Sequence, residues 1–90
     1  MSIIIETKKY YNPTDFKTGK DQIAYYCKRA GIKKGIYIVF IKNIIKSDKI
    51  KEDTEIINSI EIKTYLIRYD EKKEFGKDKK EIENYNQNEN

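Results

Sequence analysis

Ninety residues allow one domain with a small core, and the chain has one cysteine and no histidine. This composition rules out an internal disulfide and leaves nothing from which a structural zinc site is usually built. No uninterrupted apolar run reaches about 18 residues, and the short run after Met1 is cut by Glu6, so we expect no membrane span, no secretory leader and a cytoplasmic protein of a bacterial host cell.

The net charge of +4 is unevenly distributed. Residues 1–69 hold 14 basic and 8 acidic side chains, whereas residues 70–90 hold 5 and 7. We therefore expect a basic domain over 1–69 followed by a charged, asparagine-rich tail over 70–90, partly helical or flexible, with a short helix over 78–85. A modest positive charge suits nucleic acid, an acidic protein surface or plain solubility.

Along the chain, Ser2 to Tyr10 reads as a strand, and Asn12-Pro13-Thr14-Asp15 breaks it. Thr18 to Gly31 reads as a helix, with Thr18 as N-cap, Asp21 at the third helical position, an apolar stripe of Ile23, Tyr26, Cys27 and Ala30, and Gly31 as C-cap. Gly35 to Lys42 is apolar on both faces, with Ile36, Ile38 and Phe40 on one and Tyr37, Val39 and Ile41 on the other. That pattern predicts a central strand covered on both sides. Strand, helix and strand in this order predict a parallel crossover. Residues 43–59 are too long for a bare loop and are expected to hold a helical turn or an extra edge strand. Ile60 to Tyr69 reads as a further strand, solvated on one face over its first half. The expected fold class is α/β, with α+β as the alternative: a β-α-β crossover plus a further strand, one small sheet with one main helix packed on one face.

Three segments share one further pattern: Ile3-Ile4-Ile5-Glu6-Thr7-Lys8, then Asp21-Gln22-Ile23-Ala24-Tyr25-Tyr26, then Gly31-Ile32-Lys33-Lys34-Gly35-Ile36-Tyr37-Ile38-Val39-Phe40. A strand ending in Glu-x-Lys, a helix with glutamine and tyrosine, and a Gly-x-x-x-Gly-led apolar strand together resemble the PD-(D/E)XK nuclease-like proteins, over roughly residues 3–42. The resemblance implies that Glu6 would help bind a divalent metal, that Lys8 would position or activate water, and that Gln22 would approach the same site. Residues two apart on a strand share a face, which is the physical basis for pairing Glu6 with Lys8. The family also needs an aspartate from an earlier strand, and only Met1 and Ser2 precede this one in the given sequence. One carboxylate holds magnesium weakly, so Glu6, Lys8 and Gln22 read as vestigial, with no catalytic residue, no metal and no cofactor.

The expectation is a non-enzymatic binding protein that inhibits a larger bacterial nuclease or defence effector. In size and composition it resembles small phage anti-defence proteins, including anti-CRISPR proteins. Tyr10, Tyr11, Lys33, Lys34, Tyr37, Tyr65 and Arg68 are its candidate contact residues. The alternatives are a nucleic-acid-binding module and a metal-dependent nuclease completed by homodimerisation through Glu6 and Lys8. Cys27 reads as a small buried hydrophobe, since no histidine is present to activate it. Tyr26 and Tyr37 also read as residues half-buried at the edge of the core.

Overall fold

A computed structural model describes residues 2–70; the expected tail, including the helix over 78–85, lies outside the described residues. The chain runs β1 (Ile4–Lys9), α1 (Pro13–Ala30), β2 (Lys34–Lys42), β3 (Asp53–Ile57) and β4 (Ile60–Tyr69). The strands form one sheet in the order β1-β2-β4-β3. β1, β2 and β4 are parallel, and β3 pairs antiparallel to β4. The result is the expected small α/β fold, one helix against one sheet.

The helix begins earlier than its apolar stripe suggests. Asn12, not Thr18, is the N-cap: its backbone is extended and its Oδ1 accepts the Asp15 N–H at 2.7 Å. Pro13 sits in the first turn, where its missing N–H has no partner to lose. The Asn12-Pro13 pair, expected only to break the strand, thus starts the helix. Gly31 closes α1 in the left-handed conformation, as expected.

The 43–59 segment holds the edge strand β3, which returns to β4 through Asn58 and Ser59. Both residues have positive φ, the signature of a two-residue type I′ hairpin turn. Ahead of β3 the segment is tied to β4. Arg68 donates to the Ile45 carbonyl at 2.9 Å, the Asn43 N–H to the Tyr69 carbonyl at 2.7 Å, and the Leu66 N–H to Glu52 Oε2 at 3.0 Å.

The core lies between α1 and one face of the sheet. Phe16, Ile23, Ala24 and Cys27 of the helix meet Tyr37, Val39, Ile41, Ile60 and Ile62 of the strands, and Ile50 closes one side. Two glycines set how closely the layers approach. A Cβ on Gly35 would stand 2.5 Å from Ile23 Cγ2, and one on Gly19 would collide with the Tyr37 hydroxyl. Glycine in mid-helix costs about 1 kcal/mol relative to alanine, and here it admits the phenol that donates to the Phe16 carbonyl at 3.0 Å. The expectation that β2 is covered on both faces is not met among the described residues. α1 and Ile50 both lie on one side, and nothing described covers the other.

Candidate functional site

Two surfaces stand out, a cleft on the helix side and the bare face of the sheet. The cleft opens where β1 ends and α1 begins, the carboxyl end of the parallel strands, where open α/β sheets commonly bind ligands. Its volume is about 290 Å³, and Lys8, Tyr10, Tyr11, Asp15, Thr18 and Gln22 are among the residues lining it. Strand alternation puts Glu6 and Lys8 on the helix side, and α1 brings Gln22 to the same cleft as Lys8. Glu6 is half-buried one step back along the strand, where its charge reaches Tyr37. Burial first, then the negative charges of Asp15 and Glu6, push the Tyr37 phenol up to about 12, so it stays protonated and keeps its bond to Phe16. Among the described residues no three histidine, cysteine or acidic side chains cluster so as to hold a metal ion.

The strongest charge cluster was not foreseen from the sequence. Lys20 of α1 is buried, with its ammonium 3.1 Å from Glu55 and 3.5 Å from Asp53 of β3, and 5.3 Å from the centre of the Phe16 ring. A buried cation needs such partners, because desolvation would otherwise penalise its charged form. The pair pins the edge strand to the helix, which is a structural role. The sequence signal was only a lysine inside an apolar stripe, and its partners lie more than thirty positions away.

The bare face is apolar along its centre and mixed towards its margins, where Thr7, Lys9, Lys63 and Glu61 lie. Ile36, Ile38 and Phe40 form its central row. Parallel register sets Ile5, Thr7 and Lys9 beside them on β1, and Lys63, Tyr65 and Ile67 on β4. Ile5 is 60% exposed, Ile67 45%, Phe40 39% and Tyr65 38%. The Lys63 ammonium lies 5.6 Å from the centre of the Tyr65 ring, and Lys9 stands beside Phe40, so the apolar row is bordered by positive charge.

The remaining contact candidates do not gather in one place. Tyr10 and Tyr11 line the cleft, and Tyr10 also packs on Phe16 with ring centres 6.3 Å apart. Lys33 and Lys34 lie at the opposite end of the sheet, beside Ser2 and Gly31. Tyr65 is on the bare face. Arg68 is spent on the Ile45 carbonyl. Tyr37 is only 1% exposed, so no partner can reach its ring; it belongs to the core, because Gly19 makes room for it there. Tyr26, read as half-buried, is 47% exposed. Cys27 is fully buried, as expected, with burial raising its thiol pKa and Sγ donating to the Lys34 carbonyl at 3.5 Å. Ile5, Ile36, Ile38, Phe40 and Ile67 were not candidates, although the two-faced apolar pattern of β2 already pointed to its second row.

Compared with known proteins, the chain matches no family model, no curated protein and no solved structure. The likeness to PD-(D/E)XK nucleases rests on the residues quoted above.

Proposed function

We propose that this chain is a non-enzymatic protein-binding module whose docking surface is the bare face of the sheet. The observation that supports it is the central row Ile36, Ile38 and Phe40, apolar yet uncovered among the described residues, with Ile5, Tyr65 and Ile67 on either side. Large contiguous apolar patches on folded proteins mark interaction sites. Lys9 and Lys63 at the border favour a partner whose apolar patch is rimmed by carboxylates, since complementary charge steers docking and sets its register. An inhibitor of a larger nuclease or defence effector would use such a surface; the resemblance noted above is what suggests that class of partner.

The test is affinity capture with three proteins side by side: the native chain, a face variant carrying Phe40→Ser and Ile67→Ser, and a cleft variant carrying Lys8→Ala and Gln22→Ala. The reading predicts a partner held by the native chain and the cleft variant and lost from the face variant. Equal retention by all three, or loss from the cleft variant alone, removes the bare face from consideration.

A second reading draws on the same face. Phe40 and Tyr65 lie on neighbouring strands with Lys9 and Lys63 close by, which is the combination of ring and cation that stacks and holds single-stranded nucleic acid. It predicts oligonucleotide binding that weakens steeply with added salt. Binding that is absent, or flat in salt, dismisses it.

A further inference from the structure

The edge of β1 offers backbone groups rather than side chains, and it borders the face just described. β1 is terminal in the sheet, paired on one side to β2 and on the other to no strand among the described residues. The Tyr10 N–H donates to the Phe40 carbonyl at 2.8 Å. Backbone groups alternate in direction along a strand, so those of Ile4, Glu6 and Lys8 also turn towards β2, while those of Ile5, Thr7 and Lys9 point out of the sheet. An exposed edge of this kind is a template for another strand.

The side chains of β1 select which strand. We propose that a second copy of this chain pairs with it, β1 against β1 and antiparallel, about a two-fold axis at Thr7. In this register Thr7 faces Thr7 of the second copy, and Ile5 faces its Lys9, so every outward backbone group of the strand finds a partner. Glu6 then stands opposite the second copy's Lys8, and Lys8 opposite its Glu6. These are non-hydrogen-bonded positions, where facing Cα atoms are only about 4.5 Å apart and side chains interact most closely. No ion pair among the described residues uses either group. Shifting the axis by one residue keeps the backbone bonding possible, but it sets Glu6 against Glu6 or Lys8 against Lys8, and like charges directly opposite are destabilising. Charge therefore chooses the Thr7 register.

The surroundings leave space for it. α1 packs mainly over β2 and β4, so the helix side of β1 is only partly covered, and Lys8 is exposed. Ile5, 60% exposed in one copy, would gain the aliphatic stem of the second copy's Lys9. Both helices would lie on one side of a joined sheet, and the two bare faces would merge into one surface.

The experiment is sedimentation equilibrium of the full chain. The proposal predicts a species of twice 10.8 kDa. Glu6→Lys and Lys8→Glu, each alone, set like charges opposite each other at two symmetric positions and should weaken association about tenfold or more. The double variant Glu6→Lys/Lys8→Glu restores opposite charges and should recover it. Circular dichroism on each variant separates dissociation from unfolding. Thr7→Cys adds a check independent of charge: facing Cα atoms at this position would be about 5.5 Å apart, within disulfide range. Mild oxidation should then link the dimer, whereas the buried Cys27 does not. A monomer at all concentrations, a dimer indifferent to the single reversals, a double variant that does not recover, or no cross-link at Thr7 would each overturn the proposal. The charge variants at Glu6 and Lys8 leave the bare face's own residues in place, and Thr7→Cys, which lies on that face, is read only by its cross-link, so failure here is distinguishable from failure of docking at Ile36, Ile38 and Phe40.

Discussion

Tyr37, Val39 and Ile41 lie on one face of β2, and Ile36, Ile38 and Phe40 lie on the other. The first three are about 1% exposed, while Phe40 reaches 39%. The two rows are equally apolar, so hydrophobicity alone does not decide which becomes core. What decides is the single helix. Its stripe of Phe16, Ile23, Ala24 and Cys27 covers one face, and Gly19 and Gly35 let it come close. The row without a helix keeps the composition of a core, with Ile36 and Ile38 only half-buried and Phe40 exposed. That combination is what the proposed function rests on.

The comparison can be broken most directly by truncating matched residues. Ile62→Ala opens a cavity in the covered layer and should destabilise by about 2–5 kcal/mol. Ile38→Ala on the bare face should cost about 1 kcal/mol or less, because little packs over it. Chemical denaturation of both variants reads the difference, and equal losses would mean that both faces are core.

Lys20→Ala comes next. It removes the cation between Glu55 and Asp53 together with a stem packed on Phe16. A loss of about 1–3 kcal/mol is expected, with Lys20→Met recovering the part due to the stem. Denaturation midpoints of the two variants separate packing from charge.

Alkaline pH sharpens the contrast at Tyr37. Its phenol is pushed up to about 12 in the folded chain, against about 10 unfolded. Between those values the unfolded state gives up a proton that the folded state keeps. This contribution to stability is therefore complete below about pH 10 and lost as pH rises towards 12. Tyr37→Phe should flatten that decline, read as denaturation midpoints of the native chain and the variant between about pH 10 and 12.

The smallest effect is expected at Thr64. Its Oγ1 is buried with no hydrogen-bond partner among the described residues, between Tyr37 and Asp53 in the sheet register. Thr64→Val replaces an unsatisfied hydroxyl with a methyl and should be neutral or stabilising by up to about 1 kcal/mol in thermal melts.

Much of this fold was legible along the chain. The unbroken apolar run gave β2, Gly31 marked the end of α1, and the length of the 43–59 segment called for an extra element, which is β3. The helix start was less legible, because Asn12-Pro13 reads equally as a stop for a strand and a start for a helix. The site was harder to read. Glu6, Lys8 and Gln22 are what the family resemblance points to, and the fold does set Lys8 and Gln22 around one cleft. The contact candidates were tyrosines and cations chosen by residue type, yet Tyr37 is core and Arg68 holds a loop. Burial and long-range partnership are not local properties, so Lys20 with its distant carboxylates could not be recognised from its neighbours.

The central claim is that Ile36, Ile38, Phe40 and Ile67 form an accessible apolar surface on the folded protein. Titration with a fluorescent apolar dye, under conditions where cooperative unfolding shows the chain to be native, tests it on the protein alone. The account predicts saturable dye binding by the native chain and loss of most of it in the Phe40→Ser/Ile67→Ser variant. A native chain that binds no dye, or a variant that binds as much, would contradict it.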